Sequence, residues 1–95
     1  MAAQLAGQAQ RDLKKLQKGN PQAYQRCQKA ILDLDSGAAN LDIVPISGRP
    51  PWMRLRDGDW RVLFRRLNPD EHPDSGYLVA RVVNRRDLDD AVRQL

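Results

Sequence analysis

The sequence predicts an α+β fold: an N-terminal helical hairpin packed on one face of a three- to four-stranded, mainly antiparallel sheet, with a short C-terminal helix. Three observations carry this. Apolar residues recur at helical spacing as far as Ser36, and the pattern turns extended after Gly37. Four short runs of β-prone residues then follow, separated by turn residues. The chain of 95 residues suits one domain over 1–95, able to bury one modest core without staples.

The first helix is expected over Leu5 to Lys18, with Ala9, Leu13 and Leu16 as its buried stripe. Lys14, Lys15 and Lys18 crowd its last turns, where the helix dipole favours cations, and Gly19 suits the position just past the end. Asn20-Pro21 reads as the cap and first residue of a second helix. That helix would bury Ala23, Tyr24, Cys27, Ala30, Ile31 and Leu34 and end at Ser36-Gly37. Leu41 to Ile46 is a short β-prone run, broken by Ser47-Gly48-Arg49-Pro50-Pro51. Trp52–Arg56 and Trp60–Leu67 form a hairpin about Asp57-Gly58. Residues 68–76 (NPDEHPDSG) form a polar loop, and Tyr77–Val83 is the next strand. Asp87 is expected to cap a last helix with Asp89 and Asp90 in its first turn and an apolar face of Leu88, Ala91, Val92 and Leu95.

The charge is unevenly placed. Sixteen Lys and Arg against twelve Asp and Glu give +4. Residues 47–66 hold six Arg and two Asp and so carry all of it, leaving ten basic and ten acidic residues elsewhere. An Arg cluster of this kind suits phosphate, a polyanion or an acidic protein surface, because guanidinium presents a planar fork to oxyanions. Other classes are excluded. Cys27 is the single cysteine, and no Cys/His cluster has zinc-ligand spacing, so no internal disulfide and no metal site are expected. MAAQLAGQAQ lacks the features of a secretion signal, and no apolar run approaches a bilayer span. A cytoplasmic protein with no membrane partner is expected.

Side chains alternate along strands, which sorts the hairpin into two faces whichever residue pair forms the turn. Met53, Leu55, Trp60, Val62 and Phe64 share the core face. Trp52, Arg54, Arg56, Arg61, Leu63 and Arg65 share the other. Four Arg on one face cost cross-strand repulsion, so the face is a candidate anion site; a solvated or Asp-neutralised Arg face is the plainer alternative. Trp52 could stack on an unpaired base or cover the sheet edge. One Arg of the final strand, among them Arg81 and Arg85, with Arg86 at its end, could reach the same patch.

Residues 46–66 (ISGRPPWMRLRDGDWRVLFRR) resemble the signature hairpin of the RelE/ParE toxin superfamily. Asp12-Leu13-Lys14-Lys15-Leu16 looks like the family's first helix, and Val82-Val83-Asn84-Arg85-Arg86-Asp87 like its closing strand and basic turn. The resemblance implies the toxin of a type II toxin–antitoxin system. Its RelE-type members are ribosome-dependent, cofactor-free and metal-independent endonucleases that cut messenger RNA by 2′-hydroxyl attack. It further implies Arg61 as the group stabilising the transition state, with Arg54, Arg85 and Arg86 as catalytic candidates. Arg49, Arg56, Arg65, Arg81 and Trp52 are the candidates for contacting RNA or phosphate. A cognate antitoxin, the ribosome and mRNA are the implied partners. RelE-type sites carry a Tyr or His near the C-terminus where this chain has Asp89, Asp90, Ala91 and Val92, so Asp87 or Asp89 would have to act as base. A ParE-like inhibitor of DNA gyrase and an inactive, binding-only relative are the alternatives.

Single residues elsewhere have plain explanations. His72, the one histidine, lies in the turn-rich loop and reads as exposed. Cys27, Tyr24 and Trp60 fall on apolar stripes and read as core. The acids between Asp70 and Asp74 lack a calcium-loop pattern.

Overall fold

The computed structural model describes residues 3–68, 70 and 76–95. In chain order it contains β1 (Gln4–Leu5), α1 (Gly7–Gly19), α2 (Pro21–Ser36), β2 (Asp42–Pro45), β3 (Met53–Asp57), β4 (Trp60–Arg66), β5 (Tyr77–Asn84), a 3-10 turn (Arg85–Asp87) and α3 (Leu88–Arg93). The strands form one five-stranded sheet in the order β1-β5-β4-β3-β2. All neighbours are antiparallel except β1, which runs parallel to β5.

The helical hairpin turns on Asn20. Its N–H donates to the Leu16 carbonyl at 2.7 Å and closes α1, while its side chain accepts from the Ala23 N–H at 3.2 Å and opens α2. Pro21 follows, where its missing N–H costs nothing. Gly37, at φ +72°, ends α2 in the left-handed conformation. Ala9, Cys27, Ala30 and Leu34 pack against Leu55, Val62, Phe64, Val79 and Val82 of the sheet. Three of those four helical residues are small, which lets the helix axes approach the sheet closely.

Three expectations need correction. Leu5 does not begin α1: Gln4 and Leu5 pair with Leu78 and Val79 as an added edge strand, and the helix starts at Gly7. The sheet face away from the helical hairpin does not stand open. α3 packs on the opposite side, where Leu63, Val83 and Ala91 form a second cluster bordered by Ile46, Leu88, Val92 and Leu95. Leu63 is therefore wholly buried rather than part of an open Arg face. Asp87 stands at the start of α3 but makes no side-chain cap; Asn84 instead accepts from the Arg86 N–H at 3.2 Å.

The hairpin turn is Gly58-Asp59, with Asp57 opposite Trp60, and the two predicted faces survive that register. In β5, Phe64 pairs with Val79 but Leu63 pairs with Arg81, so Ala80 is an extra, bulged residue. The bulge breaks the simple alternation of β5. Tyr77 and Val79 lie on the face of α1 and α2, with Tyr77 edge-on to Phe64 at 5.4 Å between ring centres, whereas Arg81 and Val83 start from the face of α3. The expected exposure of His72 lies outside the described residues, as do the positions of the acids beyond Asp70. Among the described residues no helix is long and apolar enough to cross a membrane.

Candidate functional site

The α3 face of the hairpin gathers guanidinium groups near the Gly58-Asp59 turn. Arg56 and Arg61 sit directly opposite each other across β3 and β4, and Arg54 lies one pair further along on the same face, opposite Leu63. Arg85 closes the group from beyond β5: its N–H donates to the Asp59 carbonyl at 2.7 Å, and its guanidinium lies 3.6 Å from the Asp59 carboxylate.

Arg61 is the centre of this group and the chain's one buried charged residue among those described, at 8% exposed. One terminal nitrogen donates to the carbonyls of Gly58 at 2.7 Å and Trp60 at 2.9 Å. Those bonds fix the side chain against the turn and leave its other nitrogens without a hydrogen-bond partner among the described residues. Burial lowers its pKa from the ordinary arginine value; Arg54, Arg56 and Arg85 lower it further, and Asp59 opposes them. The side chain remains a cation at neutral pH. A partly desolvated cation facing three like charges is a place where a phosphate relieves repulsion as well as adding hydrogen bonds.

The neighbours differ in what holds them. Arg54 has no hydrogen bond or ion pair among the described residues, and it borders a cavity of about 280 Å³ with Ser47, Ile46, Leu88, Asp89 and Val92. Asp89 therefore shares a concavity with Arg54. Arg56 stands 3.9 Å from Asp42, an exposed pair of little energetic consequence. Arg65, two residues beyond Leu63 on the same face, lies over the Trp52 ring at 5.7 Å.

The other candidates lie apart. Arg81 turns around the sheet edge, its Nε 2.9 Å from Asp12 and one terminal nitrogen 3.0 Å from the Gln94 side chain. It is thereby committed to tying β5 to α1. Arg86 borders a separate cavity with Lys15, Trp60 and Asp87, on the side of α1. Arg49 reaches the Leu95 carbonyl at 3.5 Å. Asp87 thus lies with Arg86, away from Arg61. Among the described residues no group of three or more His, Cys, Asp or Glu could hold a metal ion.

Sequence reasoning missed Asp12 and Asp42. The pairing of Asp42 with Arg56 depends on the β2–β3 register, and that of Asp12 with Arg81 on the bulge; neither leaves a local signal.

A family model described as the ParE toxin of type II toxin–antitoxin systems, parDE, matches residues 3–89. The chain belongs to this toxin family. Its fold recurs in solved structures. A chain of the Escherichia coli DinJ–YafQ complex is 17% identical, with 90% of this chain and 94% of that chain covered and a TM-score of 0.68. A chain of the RelB–RelE antitoxin–toxin complex from Methanococcus jannaschii is 24% identical, with 92% and 95% covered and a TM-score of 0.56. No curated protein matches the sequence. The ParE-family match accounts for the order of helical hairpin, sheet and basic closing turn along almost the whole chain.

Proposed function

We propose that this toxin is a ribosome-dependent mRNA endonuclease whose anion site is the group Arg54, Arg56, Arg61 and Arg85. The observation that carries the proposal is the convergence of three guanidiniums on a fourth that is nearly buried and pinned to the hairpin turn. In 2′-hydroxyl attack the nucleophile loses a proton, the 2′-oxygen bonds to the adjacent phosphorus, and the bond to the 5′-oxygen breaks as that oxygen takes up a proton. The products are a 2′,3′-cyclic phosphate and a 5′-hydroxyl. Negative charge builds on the non-bridging oxygens, and fixed cations there lower the barrier. Asp89, which lines the same cavity as Arg54, is the carboxylate this reading assigns to accept the 2′-proton. Arg81 is then a structural residue, and Arg49, Arg65, Arg86 and Trp52 are peripheral contacts to RNA. A cognate antitoxin holds the toxin silent.

The second reading is ParE-like inhibition of DNA gyrase by binding alone. The family model's own description favours it, as does the lack of a Tyr or His beside Arg61 among the described residues. The two readings part in one experiment. Purified toxin is added to a translating system with a defined messenger, and in parallel to a gyrase supercoiling reaction. Cleavage that needs ribosomes, with supercoiling intact, supports the nuclease. Intact RNA with blocked supercoiling refutes it.

A further inference from the structure

Beyond Val79 the outer edge of β5 has no strand beside it, because β1 pairs only with Leu78 and Val79. Between that edge and the last turns of α1 lies the cavity of about 280 Å³ that Arg86 borders. Its walls are of three kinds. The first is the strand edge itself. Val82 turns its N–H outward to Asp12 at 2.9 Å, and Arg85 turns its N–H the other way, to the Asp59 carbonyl at 2.7 Å. Successive backbone groups alternate sides along a strand, so the Val82 carbonyl and the Asn84 N–H also turn to the open edge. The second wall is apolar, made by Leu16 and the half-buried Trp60. The third is cationic: Lys15 and Arg86 are exposed, and their side chains have no hydrogen bond or ion pair among the described residues. Two carboxylates also line the cavity. Asp12 is occupied by Arg81 and Val82, whereas Asp87 is exposed and has no ion pair among the described residues.

We propose that this cavity binds one nucleotide of RNA, the neighbour of the phosphate held by Arg54, Arg56, Arg61 and Arg85. Its base lies on Trp60 and along the β5 edge, and its own phosphate meets Lys15 and Arg86. The proposal deepens the RNA reading above and rests on it. A nucleotide answers all three walls at once: a flat ring for the indole, a hydrogen-bonding rim for the strand edge and an anion for the two cations. Place selects RNA as its source. Trp60 precedes Arg61 and packs on the opposite face of the sheet, and Arg86 follows Arg85 in the chain. The cavity and the Arg group thus share the end of the sheet that carries the Gly58-Asp59 turn, one on each face. A single strand rounding that end meets Arg85 and Arg86 in succession.

The chain has two tryptophans, so Trp52→Phe leaves Trp60 as the only indole and makes its fluorescence a report on the cavity. Full-length protein in that background is titrated with adenosine 5′-monophosphate and with a dye-labelled triadenylate whose 2′-hydroxyls are methylated to prevent cleavage. Trp60 fluorescence reads the cavity, and anisotropy of the dye reads total binding. The trinucleotide should quench Trp60 and bind about tenfold tighter than the monophosphate, because it engages both sites at once. Lys15→Glu should weaken both ligands about tenfold by reversing one phosphate contact. Lys15 is exposed, so that change does not threaten the fold. Asp87→Asn, which removes the unpaired carboxylate, should tighten both several-fold. Anisotropy that rises with Trp60 unchanged would overturn the proposal and leave the Arg group intact as the anion site. Unchanged affinity in Lys15→Glu would overturn it as well. A monophosphate bound as tightly as the trinucleotide would overturn the RNA source in favour of a free nucleotide. Failure to bind either ligand would also overturn it, and the translating system then decides separately whether the nuclease reading falls too.

Discussion

Replacing Asp12 by Ala removes one carboxylate that serves two different groups. Its oxygens lie 2.9 Å from Arg81 Nε and 3.4 Å from a terminal nitrogen of the same guanidinium. One of them also accepts the Val82 N–H at 2.9 Å, on the edge of β5 beyond the point where the two-residue β1 ends. The side chains of Asp12 and Arg81 are 12% and 19% exposed, so solvent replaces little of what is lost. Truncating one partner of a buried ion pair costs about 3–5 kcal/mol, and the residual exposure argues for the lower end, about 3 kcal/mol. In a domain of this size each kcal/mol moves the midpoint by roughly 4–8 °C, so Asp12→Ala should melt about 12–24 °C below wild type. Asp12→Asn keeps an acceptor for Val82 and should lose about half as much, since a hydrogen bond to a neutral group is worth roughly half a charged one. Urea unfolding followed by circular dichroism measures both. A loss below about 1 kcal/mol for Asp12→Ala, close to that of an ordinary surface change, would mean that Asp12 does not hold Arg81 and Val82 in this way. So would an Asn variant as unstable as the Ala variant, because the backbone bond would then carry none of the effect.

Three further outcomes follow from the same structure. A Cβ on Gly58, at φ +59°, would lie 3.0 Å from the Arg26 guanidinium that pairs with Asp57, so Gly58→Ala should cost about 1–2 kcal/mol for the left-handed backbone alone. In an Arg26→Ala background the cost should fall towards that backbone value, as read by thermal melting. Burial pushes the Cys27 thiol from 9.0 up to about 11, so the folded state stays protonated where the unfolded chain ionises. Stability should therefore be unaffected by Cys27 below pH 9 and decline as pH rises from 9 towards 11, a decline absent in Cys27→Ala. Slow alkylation of the native thiol at pH 8 provides a second check. Asp59→Asn removes the carboxylate beside Arg85 and Arg61; because that pair is exposed, stability should change by less than about 0.5 kcal/mol. Affinity for a short RNA, followed by fluorescence anisotropy, should rise several-fold, and weaker binding would contradict an anion site there.

The sequence made much of this legible because its strongest signals are local. Asn20-Pro21 marked the joint between the helices, Gly37 marked the end of α2, and strand alternation sorted the hairpin into two faces before its turn was known. What escaped is non-local. Gln4 and Leu5 become a strand only because β5 offers them an edge, and two residues carry no period of their own. Ala80 looks like any strand residue, yet its bulge sends Arg81 to Asp12 and puts Val83 beside Leu63. Leu63 read as an apolar residue stranded among arginines; it is the seat of α3. At the candidate site, Arg54, Arg56 and Arg61 were grouped by alternation alone, whereas choosing between Arg85 and Arg86 required the path of the chain beyond β5.

In the proposed reading Arg61, held by the turn carbonyls and flanked by three like charges, is the cation on which RNA cleavage depends. Primer extension on a defined messenger in a purified translation system measures this most directly, with wild-type toxin, Arg61→Ala and a ribosome-free control. Circular dichroism and antitoxin binding confirm that the variant is folded. Cuts within codons that require both ribosomes and Arg61 are expected, with at least a hundredfold loss in the variant, a size typical of removing one transition-state donor. Cuts made equally well by folded Arg61→Ala would contradict the claim.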